Sequence, residues 1–282
     1  MNFLEAILLG IIQGLSEFLP ISSTAHLTLA GRFLNLISPA TSESWTAFIA
    51  VLQLGTLAAV LVYFRSEIRS ILRALAKDLP QHGLQIGKYS GDARMGVMIA
   101  VGTIPIVVAG LLLKDFIHGM FTKNIMVIAF SLIALAVLLW MAERFSRHSR
   151  HVSELTFRDV LIIGCGQALA LIPGASRSGT TLTAGLFLAF ARRDAARFSF
   201  LLSVPAILAS GVYEMTRIDP SVFEYGVMNL FMGTVFAAIS GYAAIAWLLR
   251  YLSNHSTMVF VAYRIFVGAL LLMLIATGIF QD

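Results

Sequence analysis

Gln13 and Glu17 stand four residues apart in an apolar run, so they share one face of a helix. Beyond a break at Pro20 come Ser22, Ser23 and Thr24, with His26 one turn further on. A carboxylate and an imidazole where a membrane helix would carry Leu or Val are costly, and such residues mark function. A second cluster runs from Pro173 through Gly174, Ser176, Arg177 and Ser178 to Thr181. In both clusters hydroxyl side chains dress the start of a half-helix, whose free N–H groups and dipole attract an anion. Arg177 adds a planar fork suited to phosphate oxygens, and Gly174 permits close backbone approach. These residue types suit a phosphate ester with an apolar remainder. Ser23 or His26 would be the nucleophile, with Glu17 as support or with a bound divalent ion neutralising phosphate charge.

Each residue also has a plainer reading. Ser22 and Ser23 are common helix caps, Pro20 and Pro173 are ordinary breaks, and His26 suits a satisfied core histidine. Arg177 would snorkel if it stood elsewhere, but it sits at a break among small residues, and Glu17 lies deep in its apolar run. Those two positions favour a site. Arg264, in the last apolar segment, reads as a structural partner or a snorkelling cation and is left outside it.

The elements that must position these residues follow from composition. Of 282 residues, 58% are hydrophobic and 12% charged, with a mean hydropathy of +0.85. Soluble domains carry about 25% charged residues, so the chain reads as an all-α polytopic membrane protein. The net charge of +5 does not signal nucleic acid, because Lys and Arg flank the apolar segments as orientation signals do. The single cysteine, Cys165, excludes an internal disulfide, and the opening Met-Asn-Phe-Leu-Glu lacks the basic region of a signal peptide.

Residues 2–36 form an apolar hairpin broken near Pro20, and 159–191 repeat that design around Pro173. Each arm is short of the ~20 residues that cross a bilayer. Full spans are expected near 45–64, 95–113, 123–142, 198–216, 225–249 and 257–280, with 65–94 as the longest polar loop. Gln13, Pro20 and Ser23 are echoed by Gln167, Pro173 and Ser176, and Gly96-Val97-Met98 recurs as Gly226-Val227-Met228. Segments 65–94, 143–158, 192–197 and 250–256 hold most of the basic residues and are expected in the cytoplasm; 37–44, 114–124 and 217–222 hold few and are expected outside. The first hairpin then enters from outside and the second from the cytoplasm. One integral membrane domain over 1–282 results, with six transmembrane helices and two re-entrant hairpins in an inverted-topology repeat of about 1–142 and 158–282. The broken tips should meet near the midplane.

The two motifs resemble those of the bacterial undecaprenyl-diphosphate phosphatase family, also known for bacitracin resistance. Gln13 and Glu17, followed by Glu-Phe-Leu-Pro-Ile-Ser-Ser-Thr and His26, match its first signature, and Pro173 through Thr181 match its second at every specified position. The resemblance covers essentially the whole chain. It implies removal of the terminal phosphate from undecaprenyl diphosphate, assisted by Mg²⁺ or Ca²⁺, to recycle the lipid carrier of peptidoglycan synthesis in the bacterial inner membrane. It further implies that Glu17, His26 and Arg177 are essential, with Ser23, Ser176 and Gln13 in or beside the site. Gln13 stands where many relatives have Glu, removing one possible metal-binding carboxylate, and Ala25 stands where Gly is usual. The expected chemistry is attack by Ser23 with His26 as general base, or attack by His26 itself, from a site open to the periplasmic face. A transporter or flippase is the competing class, since broken helices in inverted repeats are a transporter device. The acid-phosphatase-like membrane phosphatases are excluded, because no histidine follows Ser176-Arg177 at their spacing.

Overall fold

A computed structural model describes residues 1–37, 42–113, 124–215, 223 and 225–278. The three charge-poor loops expected outside fall largely outside these residues. Among the described residues the chain is all helical: α1 (Phe3–Phe18), α2 (Ser23–Phe33), α3 (Ser42–Tyr63), α4 (Arg65–His82), α5 (Gly91–Leu112), α6 (Ile125–Phe145), α7 (Phe157–Ala168), α8 (Arg177–Phe187), α9 (Arg192–Met215), α10 (Val227–Tyr251) and α11 (Met258–Ala276). Six of these, α3, α5, α6, α9, α10 and α11, are long and apolar enough to cross a membrane. Leu112 and Phe266, both more than half exposed, show the apolar surface they turn outward. The paired helices α1/α2 and α7/α8 have 16, 11, 12 and 11 residues, each short of the ~20 a crossing needs.

One expected loop is a helix. Residues 65–82 form α4, which follows α3 after the single residue Phe64. Its polar composition suggested a loop, yet Ile71 and Leu75 recur on the face that meets Gly96 of α5. Asp78 fixes its far end by accepting bonds from the Ser90 backbone N–H and hydroxyl, each 2.7 Å. Those bonds hold the Asp78 carboxyl below its usual range. A depressed carboxyl stabilises above its unfolded pKa and loses that contribution as pH falls through the folded value. Asp78→Asn is therefore expected to lower Tm at neutral pH, with the gap to wild type closing as pH drops below the ordinary carboxylate range.

Small residues set the packing of the short arms. α1 crosses α10 so closely that a Cβ on Gly10 would lie 2.2 Å from the Gly233 carbonyl oxygen. α7 crosses α5 in the same manner, with Gly164 against the Gly102 carbonyl at 2.5 Å. Gly102 and Gly233 are the second glycines of the two related segments that begin at Gly96 and Gly226, so the sequence echo marks where an arm meets a span. Partners repeat throughout: α1 on α10 and α7 on α5, α3 on α10 and α9 on α5, with α3 on α9 and α6 on α11 joining the halves. At the basic end, Arg150 grips Asp159 through both guanidinium ends, at 3.0 and 2.6 Å, and lies 4.3 Å from the Phe190 ring centre. That clamp ties the start of α7 to the end of α8. Glu143 of α6 takes Arg192 of α9 and the Thr257 hydroxyl ahead of α11, joining three spans at the same end.

Candidate active site

Both hairpins turn through the same device. Ser22 (φ +79°) and Ser176 (φ +70°) occupy the left-handed region, where a side chain is strained by about 1–3 kcal/mol, a cost typical of functional sites. Each then caps its half-helix: the Ser22 hydroxyl accepts from the Ala25 N–H at 3.3 Å, and the Ser176 hydroxyl from the Gly179 N–H at 3.2 Å. This geometry corrects the alignment by proline spacing, which paired Ser23 with Ser176. Ser22 matches Ser176, and Ser23 matches Arg177. The number of residues after the break differs between the tips, whereas the cap sits nine residues beyond the buried glutamine in both.

The first helical residues of α2 and α8 meet on Glu17 of α1. Arg177 Nη2 lies 2.5 Å from Glu17 Oε1, while the Ser23 hydroxyl donates to Oε2 at 2.7 Å. Gln13 Nε2 donates to the same Oε2 at 3.1 Å, as their spacing on one helix face requires. The carboxylate is buried, and Arg177 keeps only 13% of its side chain exposed. Among the described residues, Arg177 Nη1 and Gln13 Oε1 are buried without a hydrogen-bond partner. A buried donor and a buried acceptor left open cost about 1–3 kcal/mol each, and a bound phosphate with its counter-charge would satisfy both.

His26 sits elsewhere. Its Nδ1 is 2.7 Å from the Ser22 carbonyl, which can only accept, so Nδ1 carries a proton. In the neutral ring, Nε2 then accepts from the Tyr263 hydroxyl at 2.6 Å, and the two rings stack with centres 5.6 Å apart. His26 is not bonded to Ser23, as a general base for it would be: the Ser23 hydroxyl bonds Glu17, while the i−4 carbonyl and Tyr263 take the two imidazole nitrogens. The other expected residues divide by role. Ser22, Ser23, Thr24 and Ser176 line the cavity beside Glu17 and Arg177. Ser178 donates to the Leu19 carbonyl at 3.0 Å, joining the tips, and Thr181 bonds the Arg177 carbonyl and the Ser199 hydroxyl. Gly174 (φ +86°) has no room for a side chain, since a Cβ would lie 2.3 Å from the Ser131 oxygen. Gly174→Ala is expected to cost about 1–2 kcal/mol in backbone strain plus the clash, lowering both Tm and activity of the purified protein.

Arg264 of α11, set aside in the sequence, turns out to hold the tips together. It is 1% exposed, and its guanidinium donates to carbonyls of both breaks: Pro20 at 3.3 Å, Gly174 at 3.2 Å and Ala175 at 3.0 Å. A fourth bond reaches Leu132 of α6 at 3.3 Å. Its depth in an apolar span was the available signal.

From the tips a cavity of about 640 Å³ runs between Trp45–Gln53 of α3, Ile106–Leu111 of α5 and Ala206–Tyr213 of α9. Its walls are mostly apolar, with the charged pair at one end. All three stretches adjoin the charge-poor loops, so the cavity leads toward their side of the molecule.

The family model described as bacitracin resistance protein BacA matches residues 6–270. The chain belongs to this family. Among curated relatives, an undecaprenyl-diphosphatase of Syntrophobacter fumaroxidans is 46% identical over 98% of both chains. One from Myxococcus xanthus is 48% identical over 99% of this chain and 91% of its own. One from Chlorobium chlorochromatii is 46% identical over the full length of both.

Proposed function

We propose that this protein hydrolyses undecaprenyl diphosphate to undecaprenyl phosphate and inorganic phosphate, regenerating the lipid carrier of peptidoglycan synthesis and thereby conferring bacitracin resistance. The observation that carries the reading is the meeting of Ser23, Glu17 and Arg177 at the polar end of an apolar cavity. The lipid tail lies along the apolar walls, and the diphosphate reaches the tips. There the Arg177 fork exchanges Glu17 for phosphate oxygens, with the open N–H groups of α2 and α8 beside it. Freed of the guanidinium, Glu17 accepts the Ser23 proton as Ser23 Oγ attacks the terminal phosphorus. The anhydride P–O bond breaks and undecaprenyl phosphate leaves with the bonding pair. The departing phosphate oxygen carries off the proton held by Glu17; water then attacks the phosphoserine with Glu17 as base, and Glu17 passes that proton to the leaving serine oxygen, restoring the hydroxyl and releasing phosphate. Tyr263 and the Ser22 carbonyl hold His26 as a brace for the α2 start.

Among the described residues no three His, Cys, Asp or Glu side chains converge on a metal position. The open Gln13 Oε1 and Glu17 nevertheless fit a Mg²⁺ or Ca²⁺ ion completed by the substrate's own phosphate oxygens, a common magnesium arrangement. Bound there, the ion would neutralise phosphate charge.

Two short broken hairpins, exchanged packing partners and matching caps support an inverted repeat with both hairpins re-entrant. With the basic loops in the cytoplasm, the cavity opens to the periplasmic face of the inner membrane. Impermeant thiol reagents on intact cells should label a cysteine at position 38 but not one at Leu84, in a Cys165→Ala background. Equal labelling of both would overturn the orientation.

Phosphate release from a C55 or C15 diphosphate by protein in detergent tests the activity itself. A flippase binding the lipid without release would fail that assay. Quenching with labelled substrate tests the nucleophile: acid-stable label on Ser23 is expected, and acid-labile label on His26 would reverse the assignment.

A further inference from the structure

Helix α4 is divided into three faces. Ile71, Leu75 and Asp78 turn into the protein against α5 and Ser90. Leu72 and Leu79 are more than half exposed. Beside them Arg65, Arg69, Arg73 and Lys77 recur every four residues and so form one continuous cationic strip. The acidic residues of the helix are engaged elsewhere, Glu67 by Arg197 at 2.9 Å and Asp78 by Ser90. Among the described residues, no carboxylate lies within ion-pairing distance of Arg69, Arg73 or Lys77. A groove between the strip and Leu61 at the end of α3 adds an apolar floor.

We infer that this face of α4 binds the anionic headgroups of phospholipids, with their acyl chains over Leu61, Ile68 and Leu72. Exposed leucines beside unpaired cations, directly after a spanning helix, place the strip at headgroup depth. Clusters of this size next to a span recognise negatively charged lipid. Because α4 is fixed to α5 along its buried face, the cations are presented at set spacing, which favours a phosphodiester over water. The surface is separate from the cavity, which involves the opposite half of α3.

The test uses the full-length protein in a neutral detergent, titrated with phosphatidylglycerol or phosphatidylcholine and read by native mass spectrometry. Wild type should bind phosphatidylglycerol in clear preference. Arg69→Gln/Arg73→Gln/Lys77→Gln should bind it about 100-fold more weakly, since each cation near a charged surface contributes about fivefold. Arg69→Lys/Arg73→Lys should retain binding, which separates charge loss from misfolding. Soluble glycerol phosphate should not compete at lipid-like concentrations. Equal binding of the two lipids by wild type, undiminished binding by the neutral variant, or displacement by glycerol phosphate would each overturn the assignment.

Discussion

Replacing Glu17 with glutamine will lower phosphate release by about 10²–10⁴-fold, the range carried by a positioned general base. The side chain keeps its size and can still meet Gln13 and Ser23, so the tip is expected to stay formed. It loses the ability to take the Ser23 proton and to balance Arg177 in the empty enzyme. Breaking a fully buried ion pair costs about 3–5 kcal/mol, but Arg177 lines an open cavity, and water there reduces the loss. The variant should accordingly show a modest fall in Tm, a large fall in kcat and a KM that changes little or drops, because the fork no longer has to leave a carboxylate to take phosphate. Wild-type kcat in Glu17→Gln would remove the carboxylate from the proton transfer. Arg177→Lys should differ, raising KM, since a point charge replaces the bidentate grip.

Arg264→Met is expected to be the most destructive change outside the cavity. The guanidinium is buried and makes four hydrogen bonds, three of them to carbonyls of the two breaks. Bonds to a charged group contribute about 1.5–3 kcal/mol each, and carbonyls left buried without a donor carry their own penalty. Methionine fills comparable volume but returns none of these bonds, so a loss of about 3–5 kcal/mol is expected, the scale for breaking a buried polar network. The effect on catalysis follows from geometry, because the same residue sets the separation of Ser23 and Arg177. Activity should fall even at temperatures where the variant stays folded. A folded Arg264→Met protein with wild-type kcat would show that the tips hold each other unaided, through the Ser178–Leu19 bond.

The tips were legible in the sequence because they violate the rule of their surroundings: Glu17 and Arg177 are charges beside the breaks of two short apolar hairpins. Span positions were legible for the same reason in reverse. The partners of His26 and Arg264 were not, since Tyr263 stands 237 residues from His26 and Pro20 stands 244 from Arg264. No local pattern encodes such pairs. Arg264 could have been kept on depth alone; its company could not have been named. Helix α4 was hidden by composition, although the four-residue recurrence of Arg65, Arg69, Arg73 and Lys77 was in view. The register between tips failed because prolines mark where a helix stops, whereas the equivalence lies in the cap where the next helix begins.

That equivalence between Ser23 and Arg177 has a consequence for how such a site can arise. Two identical hairpins from separate copies of a shorter chain would present the same residue on both sides, serine facing serine or arginine facing arginine. A nucleophile opposite a phosphate clamp demands two different residues at one structural position. A chain that carries both hairpins can change one without the other. Divergence of the two halves is thus a condition of the proposed chemistry.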